Sequence, residues 1–510
     1  MKLKQALVAA VTVGALLLTG CSPSGGDADG PADAKIIRVG VVDLAKSIEP
    51  WAQAGHPGQY MWSAMYDALT VIDRDGKAAP ALAESWERSD DTTWEFTLKK
   101  GVTFQDGSAV DAESVVTTFE FLLSDDGRAQ YASHVSNYKY ITGVTAIGTD
   151  KVEITTDGPR PLLASDVSSV FIVPAALLNQ GIEALRANPV GSGPFKAIKW
   201  TTDEIRLEPW TDSWRKAPNV KELDFVSIPD SAARFQALQA GDIDVMIGLT
   251  PDQEARMPAD FGAFKETVGR MMSIKYISNK GGPIADARVR KALNLAVNME
   301  SINKNLENSR GTISSWPPPG VNGYDKNRPA FAYDPDQAKK LLAEAGYGSG
   351  FTFNVEVTLN SFDNDKQVYE AMQSDLKKVG VDLVMTEIDF ASSWLPKHTG
   401  AQQWAGQGYA AVWVSAPQYD GLRPVMWYAS CDWVAQTYCN PEMQKSINAA
   451  VTELDVAKRD DLIRTVFDMM VDDPPALMLF DLPQVWGYNA NVKNFESYSV
   501  NIDWSALEMN

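Results

Sequence analysis

The feature that most restricts how this chain can fold is a strand–helix–strand run between residues 223 and 247. Leu223–Ile228 alternates apolar and polar residues, which gives a strand one buried face. Asp230 can accept backbone N–H groups as an N-cap, Ala232–Gln239 supplies an apolar helix face, and Gly241 can stop the helix. A second strand begins at Ile243. Strand, helix and strand at this spacing make a right-handed crossover, the unit of a parallel α/β sheet. Just upstream, Gly191-Ser192-Gly193-Pro194 reads as a turn, with Gly191 and Gly193 expected at backbone angles other residues avoid. Phe195–Trp200 and Ile205–Trp210 read as strands.

A second unit of the same kind lies further on. Phe351–Leu359 alternates like a strand, Lys366–Val379 is helical with Gly380 at its end, and Val381–Ile388 is a strand again. That implies a second parallel sheet and so a second lobe. Between the two units, Ala285–Ile302 reads as one helix capped by Asp286, and Asp334-Pro335 opens another that Gly346 closes. Nearer the start, Ile36–Val42 is a short apolar strand and Tyr60–Thr70 a helix. Asp73-Arg74-Asp75-Gly76 lacks the remaining ligands of a calcium loop and reads as a hairpin turn. Two strands flank Asp90-Asp91, and Asp111 caps a helix that buries Val115, Val116, Phe119, Leu122 and Leu123. A chain of 510 residues normally builds more than one core.

The formal net charge of −20 argues against a nucleic-acid partner, which wants a basic stripe. Lys2, Lys4 and the thirteen-residue apolar run Ala6–Leu18 form a secretion signal, too short to cross a bilayer stably. Losing residues 1–20 removes two lysines and leaves 44 basic against 66 acidic side chains, a net −22. Leu18-Thr19-Gly20-Cys21 resembles the bacterial lipobox, in which the Cys thiol is diacylated. Lipids on Cys21 would hold the protein on the outer face of a membrane. Ser22–Ala34 has nothing to bury and reads as a flexible tether.

No catalytic constellation can be nominated. His56, His134 and His398 stand far apart, with no HExxH or Cys-His spacing, so no metal site is expected. There is no GxSxG elbow and no GxxxxGK loop, and GSGPF precedes a strand, where it has no helix amides for phosphate. No cofactor is expected. An extracellular hydrolase is the opposing class, and turnover of a chromogenic substrate would reveal it.

VGSGPFK, EPWTDSW and SIPDSAARFQALQAGDIDV, in that order, together with Ala78–Phe119, resemble recurrent phrases of the family 5 solute-binding proteins of ABC importers. That group contains dipeptide, oligopeptide and nickel binders. The resemblance covers nearly the whole mature chain. It implies an α/β, two-lobed periplasmic-binding-protein-like fold (class II, cluster C) with an extra domain inserted in the first lobe. Lobe 1 would take residues 35–77, 189–277 and 478–510, the inserted domain 78–188, and lobe 2 278–477. The hinge would lie near Ile228-Pro229 and Tyr276–Asn279. The expected partners are a small solute, membrane permease subunits and ATPase subunits, with the binder itself a monomer outside the cytoplasm.

The resemblance also singles out site residues. GYAAVWV resembles the strand ending at the family's ligand site, which nominates Trp413. Trp51, Trp62, Trp316, Trp404 and Trp427 fall in segments that border the cleft in relatives, as does Trp394. Trp86, Trp94, Trp200, Trp210 and Trp214 read as core. Cys431 and Cys439 are close enough for a disulfide, and CDWVAQTYC resembles a cystine loop of many peptide-binding relatives. In those relatives an Asp three residues past the Trp pairs with the ligand's α-ammonium. Here that position is Ala416, with Asp420 the next carboxylate along. Peptide is the family's commonest ligand. The missing Asp and the fifteen tryptophans make oligosaccharide the alternative.

Overall fold

In a computed structural model the chain divides into Met1–Ala34 and Lys35–Asn510. The structure describes residues 35–510 apart from 53–55, 136, 217, 267–269, 307–316, 329, 360–363, 415–419, 482 and 499–500. The signal, Cys21, the tether, Trp316 and Ala416 therefore lie outside the described residues.

The chain starts with β1 (Ile36–Val41) and α1 (His56–Met65). The helix expected to reach Thr70 stops at Met65, where the Gly191–Gly193 loop arrives and the Gly193 N–H donates to the Met65 carbonyl at 2.8 Å. A Cβ on Gly191 would stand 1.9 Å from that carbonyl oxygen. Neither Gly191 nor Gly193 has a positive φ. Glycine is needed there for close approach, and the expectation of unusual angles was incorrect.

Four antiparallel strands follow: β2 (Ala83–Arg88), β3 (Thr93–Leu98), β4 (Ile141–Ile147) and β5 (Lys151–Thr156), in the order β2-β3-β5-β4. Between β3 and β4 lies α2 (Ala112–Leu123). Asp111 accepts the Ser114 N–H at its start, and Val115, Phe119 and Leu122 are fully buried. The chain then lays down β6 (Phe195–Trp200), β7 (Glu204–Pro209), β8 (Glu222–Ser227), α3 (Ser231–Ala240), β9 (Val245–Ile247) and β10 (Gly262–Glu266). Asp230 caps α3 by accepting from Ala233 N–H, and Gly241 ends it at φ 79°.

From β11 (Arg270–Tyr276) the chain builds a different sheet. Helices α4 (Ala287–Ala296) and α5 (Met299–Leu306) replace the single helix expected over 285–302. The break has a local cause. The Asn298 N–H donates to Asp375, and the Asn298 side chain accepts from Ser301 N–H, so a cap interrupts the run. Next come β12 (Phe351–Val357), α6 (Asp365–Lys378), β13 (Val381–Glu387), β14 (Gly408–Val414), α7 (Leu422–Ala429), α8 (Pro441–Thr452), α9 (Val456–Asp472), β15 (Ala476–Asp481) and β16 (Gln484–Tyr488).

Among the described residues the largest sheet has the order β10-β16-β9-β1-β8-β7-β6, and the second has β13-β12-β14-β11-β15. The strand–helix–strand run folds as a parallel unit: β8 and β9 flank β1, and both are parallel to it. Likewise β12 and β13 are parallel neighbours. One continuous core joins the largest sheet to the four-stranded one, whereas the two faces of the second sheet carry separate cores.

The chain passes between these sheets twice, from Glu266 to Arg270 and from Asp481 to Gln484. The crossings run side by side, because Glu266 pairs with Gln484 in one sheet and Met271 with Asp481 in the other. This corrects the hinge expected at Ile228-Pro229, since β8 and β9 on either side belong to one sheet. Tyr276 likewise ends a strand that lies wholly in the second sheet, so the sheets change some residues away from the expected limits at 277 and 477.

Candidate functional site

The start of α7 is fixed by tight packing. Gly421 leaves no room for a side chain, as its Cβ would stand 2.2 Å from the Asn322 carbonyl oxygen. Beside it, Asp420 accepts two hydrogen bonds from the Arg459 guanidinium of α9, at 2.9 and 3.0 Å. Arg459 also donates to the Ala450 carbonyl at 3.1 Å. These side chains are 6% and 7% exposed, so each charge is neutralised where it is buried.

Arg423 stands in the first turn of α7 and is half-buried. Its charge acts on Asp166, Tyr138, Tyr140 and His134. Asp166 ends the short helix Leu163–Asp166, which the Thr70 hydroxyl holds by donating to the Ala164 carbonyl at 2.6 Å. Its carboxyl accepts from the Tyr140 hydroxyl. Burial raises its pKa, against the attraction of Arg423. Asp166 and Arg423 both nevertheless keep part of their surface open to water. His134 is buried, and its Nε2 has no hydrogen-bond partner among the described residues. Burial, and then repulsion by Arg423, lower its pKa to about 4, so it is neutral near pH 7.

The second sheet carries an aromatic cluster. Phe390, Trp394 and His398 stack in sequence, at 5.2 and 4.7 Å between ring centres. Trp404 lies flat on Tyr409 at 3.6 Å. The Trp394 indole donates to the Ala410 carbonyl at 2.9 Å. Beneath the cluster, Glu356 accepts from Lys397 and from the Ala405 and Gly406 N–H groups. Lys275 on β11 donates to the Trp427 carbonyl between the rings of Tyr409 and Tyr428. Burial alone lowers its pKa, to about 7. Cys431 and Cys439 form a disulfide whose loop is held by Ser278 and Asn279 N–H donations to the Thr437 carbonyl. Among the described residues no cluster of three His, Cys, Asp or Glu could hold a metal ion.

The residues nominated from sequence do not gather in one place. Trp51 packs on Phe121 and Tyr131 and donates to the Phe171 carbonyl at 3.1 Å, while Trp62 donates to Ser47. Both are fully buried in the first core and present no surface to a solute in this conformation. Trp404 and Trp427 meet the aromatic cluster, through Trp394 at 6.1 Å and His398 at 5.7 Å. Asp420 is occupied by Arg459. Trp413 pairs through its backbone with Met271, next to one crossing, and its side chain lies outside the described residues. Sequence reasoning missed Asp166, Arg423 and Lys275. Nothing in their local pattern separates them from the other charged residues of the chain.

Two α/β sheets joined by two adjacent crossings, with a further body packed on the first, define the class of bilobal solute-binding proteins. The family described as "Bacterial extracellular solute-binding proteins, family 5 Middle" matches residues 77–430. The chain belongs to that family, whose members bind solutes and are not enzymes. It is 26% identical over 464 residues to the glutathione-binding protein GsiB of Pectobacterium atrosepticum, covering 88% of each chain. It is 26% identical over 441 residues to the dipeptide-binding protein of Escherichia coli, covering 78% of this chain and 80% of that one. Its fold resembles that of DppA from Helicobacter pylori in complex with the peptide STSA, with a TM-score of 0.79 at 20% identity, covering 93% and 98% of the two chains. The fold is thus the two-lobed periplasmic-binding-protein type. No described helix is long and apolar enough to cross a membrane.

Proposed function

We propose that this chain is the lipid-anchored, monomeric capture subunit of an ABC importer, taking a peptide between its lobes and presenting it to permease and ATPase subunits. The observation that carries this reading is the pair of neighbouring crossings at 266–270 and 481–484, short bridges of the kind a hinge would need. Closure around ligand is a hinge motion, and ligand moves the population by its differential affinity for the closed form. We assign lobe 1 to residues 35–77, 189–266 and 484–510, the inserted body to 78–188, and lobe 2 to 270–481. The names of the two relatives favour a peptide of two or three residues. The exposed stack ending at Phe390 favours oligosaccharide as the second reading, since flat ring faces suit sugars.

Trp413 is the proposed solute-facing residue on lobe 2. A thermal-shift screen of the mature protein against dipeptides, glutathione and oligosaccharides tests the solute class, because a ligand that binds the native state stabilises it. Trp413→Ala should weaken binding by about tenfold or more and leave the melting temperature of the free protein unchanged. For the anchor, radiolabelled palmitate should enter the full-length chain, and Cys21→Ser should abolish labelling and release the protein from the membrane fraction.

A further inference from the structure

We infer that Glu266 is a proton-operated catch on the hinge, whose protonation state sets the angle at which the two lobes rest. This rests on the hinge reading above and goes beyond it by naming the residue that makes the angle depend on pH.

Three observations carry it. The first is position. Glu266 is the last residue of β10, where the chain leaves the largest sheet. It pairs through its backbone with Gln484, the first residue of β16, where the chain returns. Both crossings therefore meet at one rung. A hinge consists of a few element-terminal residues that absorb the change in backbone angles, and this rung bears on both bridges.

The second is burial without a counter-charge. Glu266 is 3% exposed. Its Oε2 accepts from the Ser497 hydroxyl at 2.8 Å and from the Trp486 indole, which packs edge-on against Tyr60 of α1. Its Oε1 has no hydrogen-bond partner among the described residues. The groups that bond it are thus neutral. Of the charged side chains nearby, Lys265 is exposed, Glu496 is paired with Arg74, and Asp481 ends the strand that leads into the second crossing. A protonated carboxyl fits such a site, whereas an ionised one is costly there.

The third is a cation held by the other lobe. Arg270 opens β11, and its guanidinium reaches back to donate to the Gln484 side chain at 2.8 Å. That bond spans the hinge, so the distance from Arg270 to Glu266 changes as the lobes turn. With Glu266 neutral, the distance carries no ion-pair energy. Once Glu266 ionises, the favoured angle is one that brings Arg270 nearer or lets water reach the carboxylate. Burial places that ionisation at about pH 8.

The test is single-molecule energy transfer on the mature chain without solute, carrying Cys21→Ser and dyes on Thr202→Cys and Lys340→Cys, exposed positions on the two lobes. Between pH 6 and pH 10 the interlobe distance should shift with a midpoint near pH 8. Glu266→Gln, isosteric with the protonated acid, should hold the low-pH distance throughout. Ser497→Ala removes a donor to the carboxylate and should move the midpoint to higher pH. A parent whose distance ignores pH overturns the inference, and so does a shift that Glu266→Gln retains in full. An unmoved midpoint in Ser497→Ala overturns it too, and that result does not require Glu266→Gln to fold. Glutathione and dialanine, added to a parent that ignores pH, separate the two readings. A distance that moves with either peptide ends this inference alone, and one that moves with neither ends the hinge reading as well.

Discussion

Asp420 and Arg423 lie within one turn of each other, yet their charges are handled in opposite ways. Asp420 meets Arg459 bidentately, dry and complete, and holds α7 against α9. Arg423 keeps part of its surface open to water, and its charge works against the burial that raises the pKa of Asp166. Charges paired bidentately away from water build the scaffold. The same contrast appears at lower stakes between Glu266, buried beside a crossing, and Lys275, buried inside the second sheet. Among the described residues neither lies in an ion pair, although the charge of Arg270 acts on Glu266.

The contrast breaks most visibly at Asp420. Asp420→Ala strands a buried guanidinium and should destabilise the protein by roughly 3–5 kcal/mol, read as a large fall in melting temperature. A loss below about 1 kcal/mol would mean the pair is not structural.

Glu266 comes next. Its carboxyl accepts from the Ser497 hydroxyl and, at 3.3 Å, from the Trp486 indole, and its Oε1 has no described partner. Burial raises its pKa from 4.5 to about 8. The folded state therefore holds a proton that the unfolded chain releases, and stability should fall as pH rises from about 4.5 to about 8. At about 1.4 kcal/mol per pH unit the loss reaches a few kcal/mol. Glu266→Gln should flatten that slope in denaturant titrations run across the window, and an unaltered slope would remove Glu266 as its source.

Lys275 should show the opposite sign. Its folded pKa, about 7, lies below the usual 10.5, so its contribution to stability should rise with pH between those values. Lys275→Met should stabilise the protein at pH 6 by about 1–2 kcal/mol, since an uncompensated buried ammonium is lost. A destabilised variant would mean that the bond to the Trp427 carbonyl outweighs the burial cost.

Much of the fold was legible because its signals are local. Asp230, Gly241 and Asp111 cap or stop helices at the expected residues. Both parallel units follow from period-two strands flanking a helix. The readings that failed needed a neighbour from far along the chain. Gly191 and Gly193 serve the Met65 carbonyl, and Asn298 interrupts a helix with the help of Asp375. The crossings sit where strand partners change, and a strand's own sequence does not record its partner. At the site, tryptophan was legible as a residue type only. Whether Trp51 is core or Trp404 lies on Tyr409 depends on what packs around each ring.

By itself, then, the sequence determined most of the secondary structure, the two α/β units, the family and the absence of a recognisable catalytic motif. Each of these rests on contacts within some thirty residues or on short characteristic phrases. The tertiary structure alone decided that Asp420 belongs to Arg459, and that the Tyr140 hydroxyl bonds Asp166. Electrostatic partnership depends on distance in space, and a linear pattern of charged residues carries no record of that distance.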